Sequence, residues 1–209
     1  MQFKTFALAA LSLGSAIAAP ALPVDLPVGG LAGFDQVFAA VAEVKTTVEK
    51  QVTSIEGVLS VTDGVPVVGE VKTSLLSIAT NLGGLLGPVG GLAELDQKSL
   101  SDEQVAKIPE FLTIFKGITV QIKTITKKIS GGVSDEGLEI IRPELQLVLS
   151  TVAPVTRPVL GFVTTAVPAT SPIMKEVAPM VSELEGVVAT VLTPVTSLLS
   201  LGNLGGGLL

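Results

Sequence analysis

Apolar residues recur at steps of three and four along one stretch of the chain: Phe34, Val37, Phe38, Val41, Val44, Val48, Val52, Ile55 and Leu59. Only an α-helix gathers that spacing onto a single stripe. The other side carries Glu43, Lys45, Thr46, Glu49, Lys50, Thr53 and Glu56, with Lys45 and Glu49 placed for an i,i+4 ion pair. The many valines oppose the helix by at most about 0.7 kcal/mol each. Burying each side chain returns roughly 1.5 to 3 kcal/mol. A helix over 34–59 follows.

The same period continues downstream. Val71, Leu75, Ile78 and Leu82 predict a shorter helix from about Val68 to Asn81, ended by the glycine-rich "NLGGLLGPVGGL", which reads as a loop. A third helix starts at Ser101, with Gln104 at the reciprocal capping-box position. Its stripe is Val105, Ile108, Leu112, Phe115, Ile118, Ile122, Ile125 and Ile129, Pro109 is expected to kink its first turns, and "SGG" at Ser130 to Gly132 ends it. Residues 138–200 keep helical spacing but carry Pro143, Pro154, Pro158, Pro168, Pro172, Pro179 and Pro194. An interior proline opposes a helix by about 3 kcal/mol, so kinked or short helices are expected, with the clearest break at Val167 to Pro172. Alternation is poor and interior prolines also break a sheet ladder. The expected fold is therefore all-α, a multi-helix bundle with kinked, proline-interrupted helices in its C-terminal half.

The ends read differently. Lys4, the apolar run Phe6 to Leu13 and Ala16-Ile17-Ala18 form the three parts of a secretory signal peptide over 1–18. Residues 19–33 read as a flexible segment and 34–200 as one helical domain, with sub-units at 34–132 and 133–200 as an option. Residues 201–209 read as a flexible glycine-rich tail. The uncharged stretch 186–209 also fits a removable anchor signal, though its spacer is poorly defined. A secreted protein, extracellular or associated with a cell wall, is expected. Loss of Lys4 leaves 12 basic against 19 acidic residues, a net charge of −7. That balance excludes simple nucleic-acid binding, which needs basic patches. The chain has no cysteine, so it must fold by burial alone; at about 190 residues one domain buries around 70% of its chain surface.

Histidine, cysteine, tryptophan and tyrosine are all absent. Nucleophilic triads and the usual zinc sites are thereby excluded, and the sequence contains no Gly-x-Ser-x-Gly elbow and no P-loop. No catalytic residue, cofactor or metal site is expected. Paired carboxylates such as Asp135 with Glu136, or Glu183 with Glu185, leave a carboxylate-dependent hydrolase as a remote alternative; the simpler reading of Asp135 and Glu136 is helix-start charge. Lys116, Lys123, Lys127 and Lys128 form the one basic cluster, which suits a solvated helix face near a C-terminus or a lipid headgroup. Gly83, Gly87 and Gly91 have small-xxx-small spacing, but Pro88 among them favours a loop, and no stable transmembrane span is expected. "PVGGLAGFDQ" at Pro27 to Gln36 and "PVGGLAELDQ" at Pro88 to Gln97 match closely. Either a duplicated helical hairpin or a reused helix-start turn accounts for the echo.

What remains is amphipathic surface. A core of small valines interrupted by prolines is expected to pack loosely, leaving a cavity or an interface that opens. "LSDEQVAKIPEFLTIFKGITVQIKTI" from Leu100 to Ile125, within Phe34 to Ser130, resembles the fungal hydrophobic surface binding protein A family, which includes cell-wall mannoproteins. The resemblance implies a secreted helical bundle that adsorbs to hydrophobic surfaces or holds fatty acyl chains, without catalysis. The proline-rich region 138–200 departs from that pattern. On this reading the partners are lipids or hydrophobic surfaces, with Phe111, Phe115 and Phe162 as candidate ligand contacts. A structural or interaction protein of the cell wall, or a secreted effector, is the alternative.

Overall fold

The computed structural model describes residues 33–60, 66–93, 95 and 100–201, with side chains left aside at 66, 67 and 192–201. The signal-peptide assignment, the segment 19–32 and the tail beyond Leu201 lie outside the described residues. Among those described, all regular structure is helical, in the order α1 (Phe34–Leu59), α2 (Pro66–Gly84), α3 (Leu86–Leu92), α4 (Asp102–Ala106), α5 (Ile108–Gly132), α6 (Asp135–Ala166) and α7 (Pro172–Leu201).

The termini of these helices follow from local chemistry. Ser101 caps α4 by accepting from the Gln104 amide while Gln104 closes the reciprocal bond, as the capping box predicts. Pro109 does more than kink the next helix. It lies in the first turn of α5, and Lys107 both ends α4 and starts α5. Ser134 caps α6 by accepting from the Gly137 amide. The break at Val167 to Pro172 stands where the sequence puts it.

Two expectations are corrected. The glycine-rich loop after Asn81 is helical: Gly83 and Gly84 form the last turn of α2, and Gly90 and Gly91 belong to α3. Pro88 has no N–H to offer the Gly84 carbonyl, and the chain interrupts there for one residue, Leu85, before resuming. Leu85, Val89 and Leu92 are fully buried, which outweighs the poor helix propensity of glycine. The second correction is narrower: α6 is not one of the short helices expected, since it runs through Pro143, Pro154 and Pro158. The carbonyls these prolines leave unpaired belong to Glu139, Ser150 and Pro154, all exposed, so water can satisfy them.

The helices pack in two layers. α1, α5 and α7 lie side by side in the first; α2 with α3, and α6, form the second. α2 and α3 rest on α1, and α6 rests on α5 and α7. Neighbours within a layer run parallel. Asp35 meets Lys107 at the starts of α1 and α5, at 3.6 Å, and Glu56 meets Lys128 near their ends, at 2.6 Å. Lys116 of α5 pairs with Glu183 of α7. In the second layer Lys72 of α2 reaches Glu144 of α6 at 3.3 Å.

This arrangement repeats one unit. Placing Phe34 on Ile108 carries Val41, Val48 and Ile55 onto Phe115, Ile122 and Ile129, all buried. Placing Val71 on Ile141 carries Leu75, Ile78, Leu82, Leu85, Val89 and Leu92 onto Leu145, Val148, Val152, Val155, Val159 and Phe162, again all buried. Pro88-Val89 and Gly91 then coincide with Pro158-Val159 and Gly161. The hairpin of α1 with α2 and α3 therefore recurs as α5 with α6, and α7 adds a third first-layer helix. The shared burial pattern does not fall in the register of the echoed decapeptide, so it does not decide between the two explanations of that echo. Its second copy begins inside α3, not at a helix-start turn, and most of its first copy lies outside the described residues.

Candidate functional site

The three phenylalanines expected to meet a ligand sit in the core. Phe111 is 0% exposed, Phe115 2% and Phe162 1%. They belong to one aromatic cluster with Phe34 and Phe38. Phe34 stacks on Phe162 at 5.7 Å between ring centres and meets Phe111 edge-on at 5.5 Å. Phe111 and Phe115 are 6.2 Å apart. Phe34 thus joins both layers at one end of the bundle.

The expected loose core is closed at its centre. Between the layers, Leu82, Phe115, Ile118, Thr119, Ile122, Val152, Val155 and Thr156 surround a cavity of about 10 Å³. Pockets that bury a small ligand measure roughly 300 to 1,000 Å³. Thr119 and Thr156 satisfy their hydroxyls on the carbonyls of Phe115 and Val152, so the lining is effectively apolar.

A larger depression of about 420 Å³ opens where α1 and α5 end, lined by Glu56, Leu59, Ser60, Lys127, Lys128, Gly131 and Gly132. Two helix C-termini converge on it, and their carbonyl dipoles oppose an anion. Lys128 is already held by Glu56 and Lys116 by Glu183. Half of the basic cluster is therefore used to lace the first layer together, while Lys123 and Lys127 face solvent. Nearby carboxylates act similarly elsewhere: Glu103, and more weakly Asp35, raise the Lys107 pKa above its ordinary value. Asp135 and Glu136 occupy the first turn of α6, and no group of metal-ligating residues assembles among those described.

The outer face of the second layer has a different composition. From Thr73 to Ala93, and from Leu145 to Met174, Arg157 is the single charged residue. Among the described side chains, the large apolar ones that reach solvent are Leu76, Leu86, Ile140 and Leu147 in this layer, against Val120 in the first. Leu76 lies one turn beyond Lys72, while Ile140 and Leu147 lie one turn either side of Glu144. Since Lys72 and Glu144 bridge α2 and α6, these side chains flank the seam between them. Gly83, Gly87 and Gly90 on the same stretch have open space where a side chain would stand. The result is a surface whose charges, Lys72, Glu139, Arg142 and Glu144, gather near the helix starts, with Arg157 the single charged residue from Thr73 to Ala93 and from Leu145 to Met174. Val68–Leu92 and Asp135–Ala166 are also long and apolar enough to cross a membrane, by length and composition alone; about half of each is buried in the bundle.

Sequence periodicity passes over these residues because each stands beside a member of the core stripe: Leu76 beside Leu75, Leu86 beside Leu85, Ile140 beside Ile141 and Leu147 beside Val148. A neighbour in a helix points about 100° away. Adjacency alone does not decide burial, since Phe111 with Leu112, Val148 with Leu149 and Phe162 with Val163 are neighbouring pairs buried at both positions, so the face becomes visible only with the packing. No family model, no curated protein and no solved structure matches the chain.

Proposed function

We propose that this is a secreted, non-catalytic protein that binds lipids or hydrophobic surfaces through the outer face of its second layer. The observation that carries the reading is that face: Leu76, Ile140 and Leu147 exposed beside the α2–α6 seam and Leu86 further along the same layer, with Lys72, Glu139, Arg142 and Glu144 gathered near the helix starts and Arg157 the single charged residue from Thr73 to Ala93 and from Leu145 to Met174. A contiguous apolar patch on a soluble protein marks an interaction surface. The charged side chains of the first layer, paired across α1, α5 and α7, suit the water side of such an interface. Docking of an acyl chain inside the closed bundle is the weaker form of the idea, because the space between the layers is far too small. The signal-peptide pattern of residues 1–18 supports secretion, and the absence of histidine and cysteine supports a role without catalysis.

Adsorption to hexadecane droplets tests the reading. Each leucine contributes on the order of 1 kcal/mol when its exposed part leaves water. The double variant Leu76→Glu/Leu147→Glu is therefore expected to bind at least about tenfold more weakly, with an unchanged helical circular dichroism spectrum. Val120→Glu, on the first layer, keeps normal binding. Equal adsorption of the double variant and the wild-type protein sinks the assignment.

A further inference from the structure

The turn between α6 and α7 contains a threonine unlike the others. Thr170 lies outside any helix, is exposed, and has no hydrogen-bond partner for its hydroxyl. The other exposed threonines whose side chains are described all lie in helices: Thr46, Thr53, Thr73, Thr80, Thr113, Thr124, Thr164, Thr165 and Thr190. Each of those donates its hydroxyl to a carbonyl three or four residues back. Their oxygens are engaged, and their backbones are locked in α geometry.

Thr170 has neither restraint. The Ser171 amide donates to the Pro168 carbonyl at 2.9 Å, closing a tight turn with Ala169 and Thr170 at its crest. Pro168 keeps α6 from continuing, and Pro172 begins α7, so the two prolines hold the crest out of both helices. The Ser171 hydroxyl is occupied, accepting from the Ile173 amide. One free hydroxyl therefore stands on a protruding, proline-flanked turn, on a chain without an N-glycosylation sequon.

We propose that Thr170 is an O-glycosylation site, a modification that rests on the secretion part of the functional reading above. Its Oγ1 attacks the anomeric carbon of a sugar activated by a phosphate leaving group. The new C–O bond replaces the bond to phosphate, which departs with its electron pair, and the hydroxyl proton passes to the transferase's base. Serine- and threonine-bearing segments with proline are the usual setting for this chemistry, and this turn presents the acceptor without unfolding a helix.

The test is intact-mass and peptide-level mass spectrometry of full-length protein secreted by a eukaryotic host. The expected result is a population heavier by whole hexose units, with the added mass on the peptide containing Thr170. Thr170→Val, which keeps the shape and removes the hydroxyl, loses that mass, whereas Thr164→Val and Thr165→Val keep it. Secreted protein whose Thr170 is bare, or carries phosphate instead, overturns the proposal and leaves the surface-binding reading intact. Protein retained inside the cell with an uncleaved N-terminus removes the secretion reading and this proposal together.

Discussion

A chain without cysteine offers a clean way to test the parallel packing of α1 against α5. A Cβ built on Gly132 lies 4.0 Å from the Cβ of Leu59, inside the roughly 3.5 to 4.5 Å range that a disulfide requires. The double variant Leu59→Cys/Gly132→Cys introduces the only two thiols in the molecule, at the ends of two helices whose partnership defines the first layer. Closing a loop from 59 to 132 restricts the unfolded chain by about 4 kcal/mol on the entropy model. Comparing the oxidised and reduced forms of the same variant isolates that contribution from the lost packing of the leucine. With a urea m-value of about 2 kcal/mol/M, oxidation moves the unfolding midpoint up by roughly 2 M. The assay is urea denaturation followed by circular dichroism, with thiol titration before and after mild oxidation. Two titratable thiols surviving oxidation in folded protein would falsify the register. In an antiparallel pair of these helices, residues 59 and 132 stand at opposite ends of the bundle.

Other outcomes follow from the same coordinates. Gly83→Ala, Gly87→Ala and Gly90→Ala meet no neighbouring atom, so each is expected to stabilise the protein by about 0.5 to 1 kcal/mol in thermal denaturation. Gly137→Ala does the reverse despite the same gain in helix propensity. Its Cβ falls 2.6 Å from Val133 Cγ1 and 3.1 Å from Val68 Cγ2, and a lower melting temperature is the outcome to look for. Phe34→Ala removes the ring that joins Phe111 and Phe162 and is expected to destabilise by about 3 to 5 kcal/mol; a loss below about 1 kcal/mol contradicts its central place in the cluster. The raised pKa of Lys107 makes its ion-pair contribution complete below its unfolded value of 10.5. The contribution is lost as pH rises through the folded value, so a Lys107→Met variant should show a flatter alkaline stability profile than the parent.

Much of the helical content was legible because burial writes itself into spacing. The stripe from Phe34 to Leu59 and the capping box at Ser101 needed only local rules, and both appear in place. The segment from Gly83 to Leu92 was not legible, because its glycines and Pro88 speak locally for a loop while Val89 and Leu92 are held helical, and Leu85 in the core, by neighbours distant in sequence. The prolines of α6 misled for a related reason. An exposed orphan carbonyl lets a helix continue past a proline but does not ensure it, since Gly84, four residues before Pro88, is exposed as well. The pairing of parallel helices was invisible as well, since Asp35 with Lys107 and Lys72 with Glu144 look like isolated charges until the layers are known. The four exposed residues of the outer face, Leu76, Leu86, Ile140 and Leu147, were hidden in plain view, each one residue away from a core position.

The parallel neighbours carry a consequence for how the chain reaches this state. α1 and α5 touch through residues such as Glu56 and Lys128, 72 positions apart. A ribosome delivering some 5 to 20 residues per second leaves the apolar flank of α1 waiting several seconds for its mate. During that interval the chain is an unfinished stack with a sticky side, and contacts this distant in sequence also slow the final search. Aggregation in this molecule is therefore expected to be decided early, while the first hairpin is made and the second is still being synthesised. A translational pause after Gly84 would prolong that exposure, whereas one after Ala166 would come when both hairpins exist and α5 can already cover α1.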